Sequence, residues 1–202
     1  VTSKLLRPAA LVLAGVLALG ACTGGGDDEP EPSASATTAG VPQGFDVPDG
    51  VELTDPGSTV APGTSVNVVW ERPDAEPTVL GVSVGAVRKG SVKDLRFFSL
   101  DAQTRTATPY YVDVVAANRG PAALQNVQVP LLARDSGNVL TQPSRIVGQI
   151  KPCRANALPV SLAVGQSARA CLVFLVPRGA QLQSIDLVTG QQADAVRWRP
   201  AA

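Results

Sequence analysis

The stretch Pro109-Tyr110-Tyr111-Val112-Asp113-Val114-Val115-Ala116-Ala117-Asn118, followed by Arg119-Gly120-Pro121, reads as a β-strand with a stop at its end. Tyr110, Val112, Val114 and Ala116 recur at every second position, the period of a strand, and this face is predicted to point inward. β-Branched and aromatic side chains also suit a pleated, half-buried surface. Asn118, Gly120 and Pro121 end the run, because Asn and Gly tolerate left-handed backbone and Pro blocks continuation. Asp113 falls on the opposite face, where a charged side chain is expected to meet solvent.

Outward from this strand the same pattern repeats in both directions. Val-rich runs at Ser65–Trp70, Val79–Lys89, Val127–Ala133, Ala168–Val176, Ser184–Leu187 and Ala195–Trp198 are separated by Gly, Pro, Asn and Asp. Ile146–Gln149 and Val160–Leu162 are weaker candidates. In the run ending at Lys89, Leu80, Val82, Val84 and Ala86 share one face, with Gly81, Ser83 and Gly85 opposite. Asp135-Ser136-Gly137-Asn138 reads as a hairpin connection, and Val164-Gly165-Gln166-Ser167 as a turn feeding the strand that Pro177 and Gly179 terminate. No segment keeps a 3.6-residue apolar period over three turns. Seven short strands with turn signals between them predict an all-β fold, a two-sheet β-sandwich over residues 61–199.

The strand ending in Asn118-Arg119-Gly120, the later Asp135-Ser136-Gly137, Val164-Gly165-Gln166-Ser167 and Cys171-Leu-Val-Phe-Leu-Val-Pro-Arg-Gly179 together resemble the immunoglobulin-like domains of actinobacterial surface lipoproteins and the wider telokin-like group. The likeness covers roughly residues 60–199, and its specific motifs lie between 109 and 179. Those motifs are turns, so the resemblance implies an immunoglobulin-like fold and carries no catalytic residue.

Composition narrows the chemistry. The 202 residues include 19 Gly and 17 Pro, few aromatics, and neither His nor Met. Without His there is no Ser-His-Asp or Cys-His nucleophile pair, no imidazole metal ligand and no imidazole pH switch. Net charge is zero, but from Glu71 onward 15 Lys and Arg face 9 Asp and Glu, while the chain between Arg7 and Arg72 has acidic residues alone. An acidic segment therefore precedes a mildly basic domain.

The N-terminal segment has the layout of a secretory signal peptide: Lys4 and Arg7, an apolar core from Ala9 to Leu19, then small residues before Cys22. The apolar run is shorter than the ~20 residues that span a bilayer as a helix. Leu19-Gly20-Ala21-Cys22 resembles the lipobox of bacterial lipoproteins. That resemblance implies that residues 1–21 are removed and that Cys22 carries a diacylglyceryl group on the outer face of the cell membrane. Two acyl chains hold stably, at about 0.8 kcal/mol per buried CH₂, where one is marginal. A plain secreted protein with Cys22 near an ordinary cleavage site is the alternative. Residues 22–60 are expected to form a disordered Gly-, Pro- and Ser-rich tether, since Thr23–Gly40 holds no large apolar side chain. A linker of ~40 residues spans about 35 Å. Phe45, Val47, Val51 and Leu53 give its end the means to dock on the domain as an irregular arm.

With Cys22 assigned to lipid, Cys153 and Cys171 remain, an even pair in an exported chain, and a disulfide is expected. Their spacing is no CxxC and no His accompanies them, which argues against a redox or metal-binding thiol pair. No metal or cofactor is expected. Arg88, Lys89, Lys93 and Arg96 form the densest basic cluster, a candidate contact for an anionic wall polymer, lipid headgroups or another envelope protein, or else a solvated loop. Phe97 and Phe98 beside it are expected to anchor the loop. Nucleic acid is excluded by compartment. Trp70 and Trp198 either flank a glycan patch or pack where the terminal strands meet, the second being favoured. Asp113 or Asp94 would need a second carboxylate for acid–base work, and the sequence places none beside them.

The expectation is a non-enzymatic, lipid-anchored extracytoplasmic protein displaying a β-sandwich for binding or envelope structure. A glycan- or anionic-polymer-binding module is the first alternative, and an enzyme of unrecognised type the second.

Overall fold

A computed structural model describes residues 40–200 apart from Asp74 and Asn156. The leader, Cys22 and the tether as far as residue 39 lie outside the described residues. Four long strands, β2 (Ser65–Arg72), β3 (Ala75–Lys89), β4 (Thr108–Asn118) and β9 (Ser167–Val176), form one antiparallel sheet in the order β2-β3-β4-β9. β1 (Thr59–Val60), β6 (Leu131–Asp135), β7 (Leu140–Thr141), β10 (Leu182–Leu187) and β11 (Val196–Trp198) form the second, in the order β1-β11-β10-β6-β7. β5 (Leu124–Gln125) and β8 (Ser161–Leu162) pair separately. The chain thus forms the all-β, two-sheet sandwich expected from its alternation.

The core lies between the two sheets. Val82, Val114 and Phe174 from the four-stranded sheet meet Leu131, Ile185 and Trp198 from the five-stranded one, all buried. Trp198 is fully enclosed and its indole N–H donates to the Thr64 carbonyl at 3.0 Å. Val112, Val114 and Ala116 point inward as their alternation requires, while Tyr110 on the same face is half-buried.

Ala86 departs from its expected face. The register of β3 on β4 runs Val84 opposite Val114 and then Val87 opposite Val112, so β3 carries one extra residue, a β-bulge. The extra residue reverses the alternation: Ala86 is exposed and Val87 packs on the core. It also turns Arg88 outward, on the side of Tyr111, instead of following Leu80, Val82 and Val84 inward.

Other differences have local causes. The strand expected over Val127–Ala133 begins only at Leu131, because Pro130 has no N–H and the Leu131 N–H bonds to the Val129 carbonyl at 2.8 Å. Ile146–Gln149 forms no strand, and Ile150 makes one isolated bridge to Cys153. Val160–Leu162 contracts to the two residues of β8. The sandwich also reaches N-terminally of residue 61. β1 lies parallel to β11, the Thr54 N–H donates to Asn67 at 2.9 Å, and Asn67 Nδ2 donates to the Glu52 carbonyl at 2.9 Å. Phe45, Val47, Val51 and Leu53 are each partly buried along this arm.

Candidate functional site

The two outer faces of the sandwich carry different chemistry. On the four-stranded sheet, Tyr111 and Val173 are opposite one another on β4 and β9, with Asp113 opposite Cys171 one step along. Tyr111 is 1% exposed despite facing away from the main core. It is covered by a second apolar cluster with Leu95, Ile150, Cys153, Cys171 and Val173, flanked by Phe98 and Leu100. Two connections, 91–107 and 144–158, supply this roof. Its fastening is covalent: Cys153 and Cys171 form the expected disulfide, and the Cys171 N–H also donates to the Ala155 carbonyl at 2.6 Å.

The roof's first segment is held by Ser91 and Asp94, which cap a short 3-10 turn at Val92–Leu95. Asp94 Oδ2 accepts the Ser91 N–H at 3.0 Å and the Tyr111 hydroxyl at 3.1 Å. Burial first, and then this hydrogen bond and the nearby carboxylate charge, push the Tyr111 phenol up to about 12.

The basic cluster does not act as one patch of free charge. Arg88 forms a bidentate ion pair with Asp113, and its Nη2 also donates to the Pro152 carbonyl at 3.2 Å. That pairing raises the Arg88 pKa, and it ties the end of β3 to the roof beside the disulfide. Asp113 is therefore half of an ion pair, and Asp94 serves a cap and a tyrosine. Arg96 lies over the Phe97 ring at 4.4 Å, and Lys89, Lys93 and Arg96 are exposed. Phe98 anchors the loop as expected, whereas Phe97 is 82% exposed. Trp70 and Trp198 are both buried in the main core, so the glycan-patch reading of the tryptophans fails: their rings are packing surface.

The outer face of the five-stranded sheet has no such roof and carries a group that the sequence reading missed. Asp186 on β10 is completely buried, yet its neighbours across the sheet are Leu132 and Arg197 on the outward side. Arg134 reaches it from β6, with Nε at 2.8 Å and Nη2 at 2.6 Å from Oδ2, and Arg197 Nε lies 3.5 Å away. The Ser184 hydroxyl donates to Oδ1 at 2.5 Å. The arginines are in turn positioned, Arg134 by Asn138 Oδ1 at 2.5 Å and Arg197 by the Gly57 and Gln192 carbonyls. One carboxylate thus carries two guanidinium groups, a local surplus of positive charge. Arg199 joins them around a shallow, mostly polar hollow of about 650 Å³ that also includes Ser136 and Gln183.

Two further hollows exist among the described residues. One of about 650 Å³ lies where β6 and β7 separate, lined by 126–132, 142–145, 157–160 and Val188. The other, about 400 Å³, lies beside the N-terminal arm and includes Asp55, Glu71 and Asp194. Among the described residues no three His, Cys, Asp or Glu side chains converge as a metal site. Comparison with protein-family models, with curated proteins and with solved structures finds no match for the chain.

Proposed function

We propose that this protein is a lipid-anchored extracytoplasmic binding module, of the kind found in actinobacterial surface lipoproteins, and that it has no catalytic role. The observation that carries the reading is Leu19-Gly20-Ala21-Cys22 at the end of a short apolar leader, followed by an acidic, Gly- and Pro-rich stretch. A disulfide in the sandwich suits an oxidising compartment. Mass spectrometry of the mature protein purified from membranes tests it. The expected species begins at Cys22 and carries a diacylglyceryl adduct; an unmodified N-terminus beyond Cys22 contradicts the anchor.

A second reading, an anionic cell-wall polymer as the ligand, is favoured by Arg134, Arg197 and Arg199 around one hollow on the unroofed face. Lys89, Lys93 and Arg96, exposed beside the Arg88–Asp113 pair, offer such a polymer a second cationic surface. Arg199→Gln is expected to weaken binding to purified cell wall severalfold at low ionic strength. Raising salt to about 0.5 M should abolish the difference, since screening lengths then fall to a few ångströms. Equal binding by the variant at low salt contradicts this reading.

A further inference from the structure

The β6–β7 hairpin splits open, and the split leaves a strand edge facing a hollow. Ala133 is opposite Thr141 and Arg134 opposite Leu140. Continuing that register would put Leu132 opposite Gln142 and Leu131 opposite Pro143. Pro143 has no N–H to give, and the N–H of Ser144 instead donates to the Val173 carbonyl on β9 at 2.7 Å. The 142–145 segment is therefore drawn toward the other sheet, and nothing described takes its place.

On the vacated side the chain N-terminal to β6 keeps a strand's character without a strand's partners. Val127 and Val129 are buried and Gln128 between them is exposed, the alternation of an extended segment. The N–H groups of Val127, Gln128 and Val129 and the carbonyls of Val127 and Gln128 find no hydrogen-bond partner among the described residues. The hollow beside them, about 650 Å³, has Pro143, Leu158, Pro159 and Val188 in its lining. Among the described residues, 126–132 and 142–145 are joined across it by one exposed hydrogen bond, Arg145 Nη2 to Gln128 Oε1 at 3.2 Å.

We propose that this hollow binds an extended polypeptide, which adds as a strand to the Val127–Val129 edge beside the gap left by residues 142–145. The backbone identifies the occupant: alternating unpaired donors and acceptors on an extended segment are complementary to another extended backbone. The proline- and leucine-containing lining selects for apolar side chains at alternate positions of that strand. At about 3.3 Å per residue, the edge ahead of Pro130 has room to pair about three residues of such a strand. The inference rests on residues 126–160 and is independent of the lipid anchor.

The test uses the intact, oxidised protein and a pool of hexapeptides with Val, Leu or Ile alternating with Ser or Thr. Amide exchange at Val127 and Val129, whose N–H groups share the edge facing the gap, followed by ¹⁵N NMR, is expected to slow at least tenfold at saturating peptide, with less change at Gln128, whose N–H points to the other edge. The same pool N-methylated at every residue should have no effect, because neither of its edges can then donate to the ladder. Val129→Pro, which removes an N–H on the gap side, should abolish the protection at Val127, with Trp198 fluorescence reporting that the fold is kept. Several results would overturn the proposal: unchanged exchange at Val127 and Val129, equal slowing by the N-methylated pool, as for an apolar molecule merely filling the hollow, or slowing only at another edge such as β7.

Discussion

The outer face of the four-stranded sheet and that of the five-stranded sheet begin as equivalent surfaces and are finished in opposite ways. The first bears Tyr111 and Val173 and is sealed by 91–107 and 144–158, fastened by Cys153–Cys171. The second bears Arg134, Ser184, Asp186 and Arg197, which satisfy one another and need no roof. Apolar side chains on both faces of a sheet demand cover on both. A charged network can instead remain at the solvent boundary, provided each buried polar atom has a partner. The roof covers the β4–β9 half of the four-stranded sheet, and the other side of the sandwich is left with the arginine hollow and the open edge before β6.

The difference can be broken most severely at Tyr111. Tyr111→Ala removes a fully buried aromatic from beneath the roof and should cost about 4 kcal/mol in urea unfolding. Leu132→Ala, on the unroofed face, should cost about 1 kcal/mol. Equal losses would mean that the two faces are not distinct. Next in size is the staple. Replacing both Cys153 and Cys171 by Ala frees a loop of 18 residues of sequence separation, and stability should fall by about 3 kcal/mol in the chain-entropy treatment. Calorimetry of the double variant checks this.

On the other face, Asp186→Asn keeps the shape of the side chain and removes its charge, leaving Arg134 and Arg197 without a counter-ion. Breaking a buried pair on one side costs about 3–5 kcal/mol. Here the arginine side chains are 17% and 24% exposed and can find water, so about 2 kcal/mol is expected. A double-mutant cycle with Arg134→Met measures the coupling.

The smallest effect sharpens the comparison through pH. Tyr111 is protonated in both folded and unfolded chains below about pH 10. Above that the unfolded tyrosine ionises first, because the folded phenol is pushed up to about 12. Its contribution to stability is therefore intact below pH 10 and is lost as pH rises from about 10 to about 12. Tyr111→Phe should unfold at slightly lower urea at pH 8 and show a shallower decline than the parent between pH 9.5 and 11.5. Parallel curves would contradict the buried Tyr111–Asp94 contact.

The long strands were legible because alternation over β2, β3, β4 and β9 needs no tertiary information. The bulge at Gly85–Ala86 was not, since nothing local distinguishes it from a regular strand with small residues. Missing it inverted the face of Ala86 and hid the register that sets Arg88 beside Asp113. The roof left a readable trace: Tyr110-Tyr111-Val112 is apolar at consecutive positions, the mark of a strand covered on both sides. Cys153 and Cys171 could be paired by counting. The charged triad could not be assembled this way, because Asp186 lies 52 residues from Arg134 and its surroundings exist only once β6, β10 and β11 are side by side. β1, β5 and β7 are two residues each, too short for any period to register.

Hydrogen exchange followed by mass spectrometry, before and after reduction of Cys153–Cys171, bears most directly on the division between a stapled half and an open half. Reduction is predicted to accelerate exchange in 91–107, in 144–158 and in the facing parts of β4 and β9, while β6, β10 and β11 keep their protection. Acceleration spread equally over both sheets, or none in the roof, would contradict it.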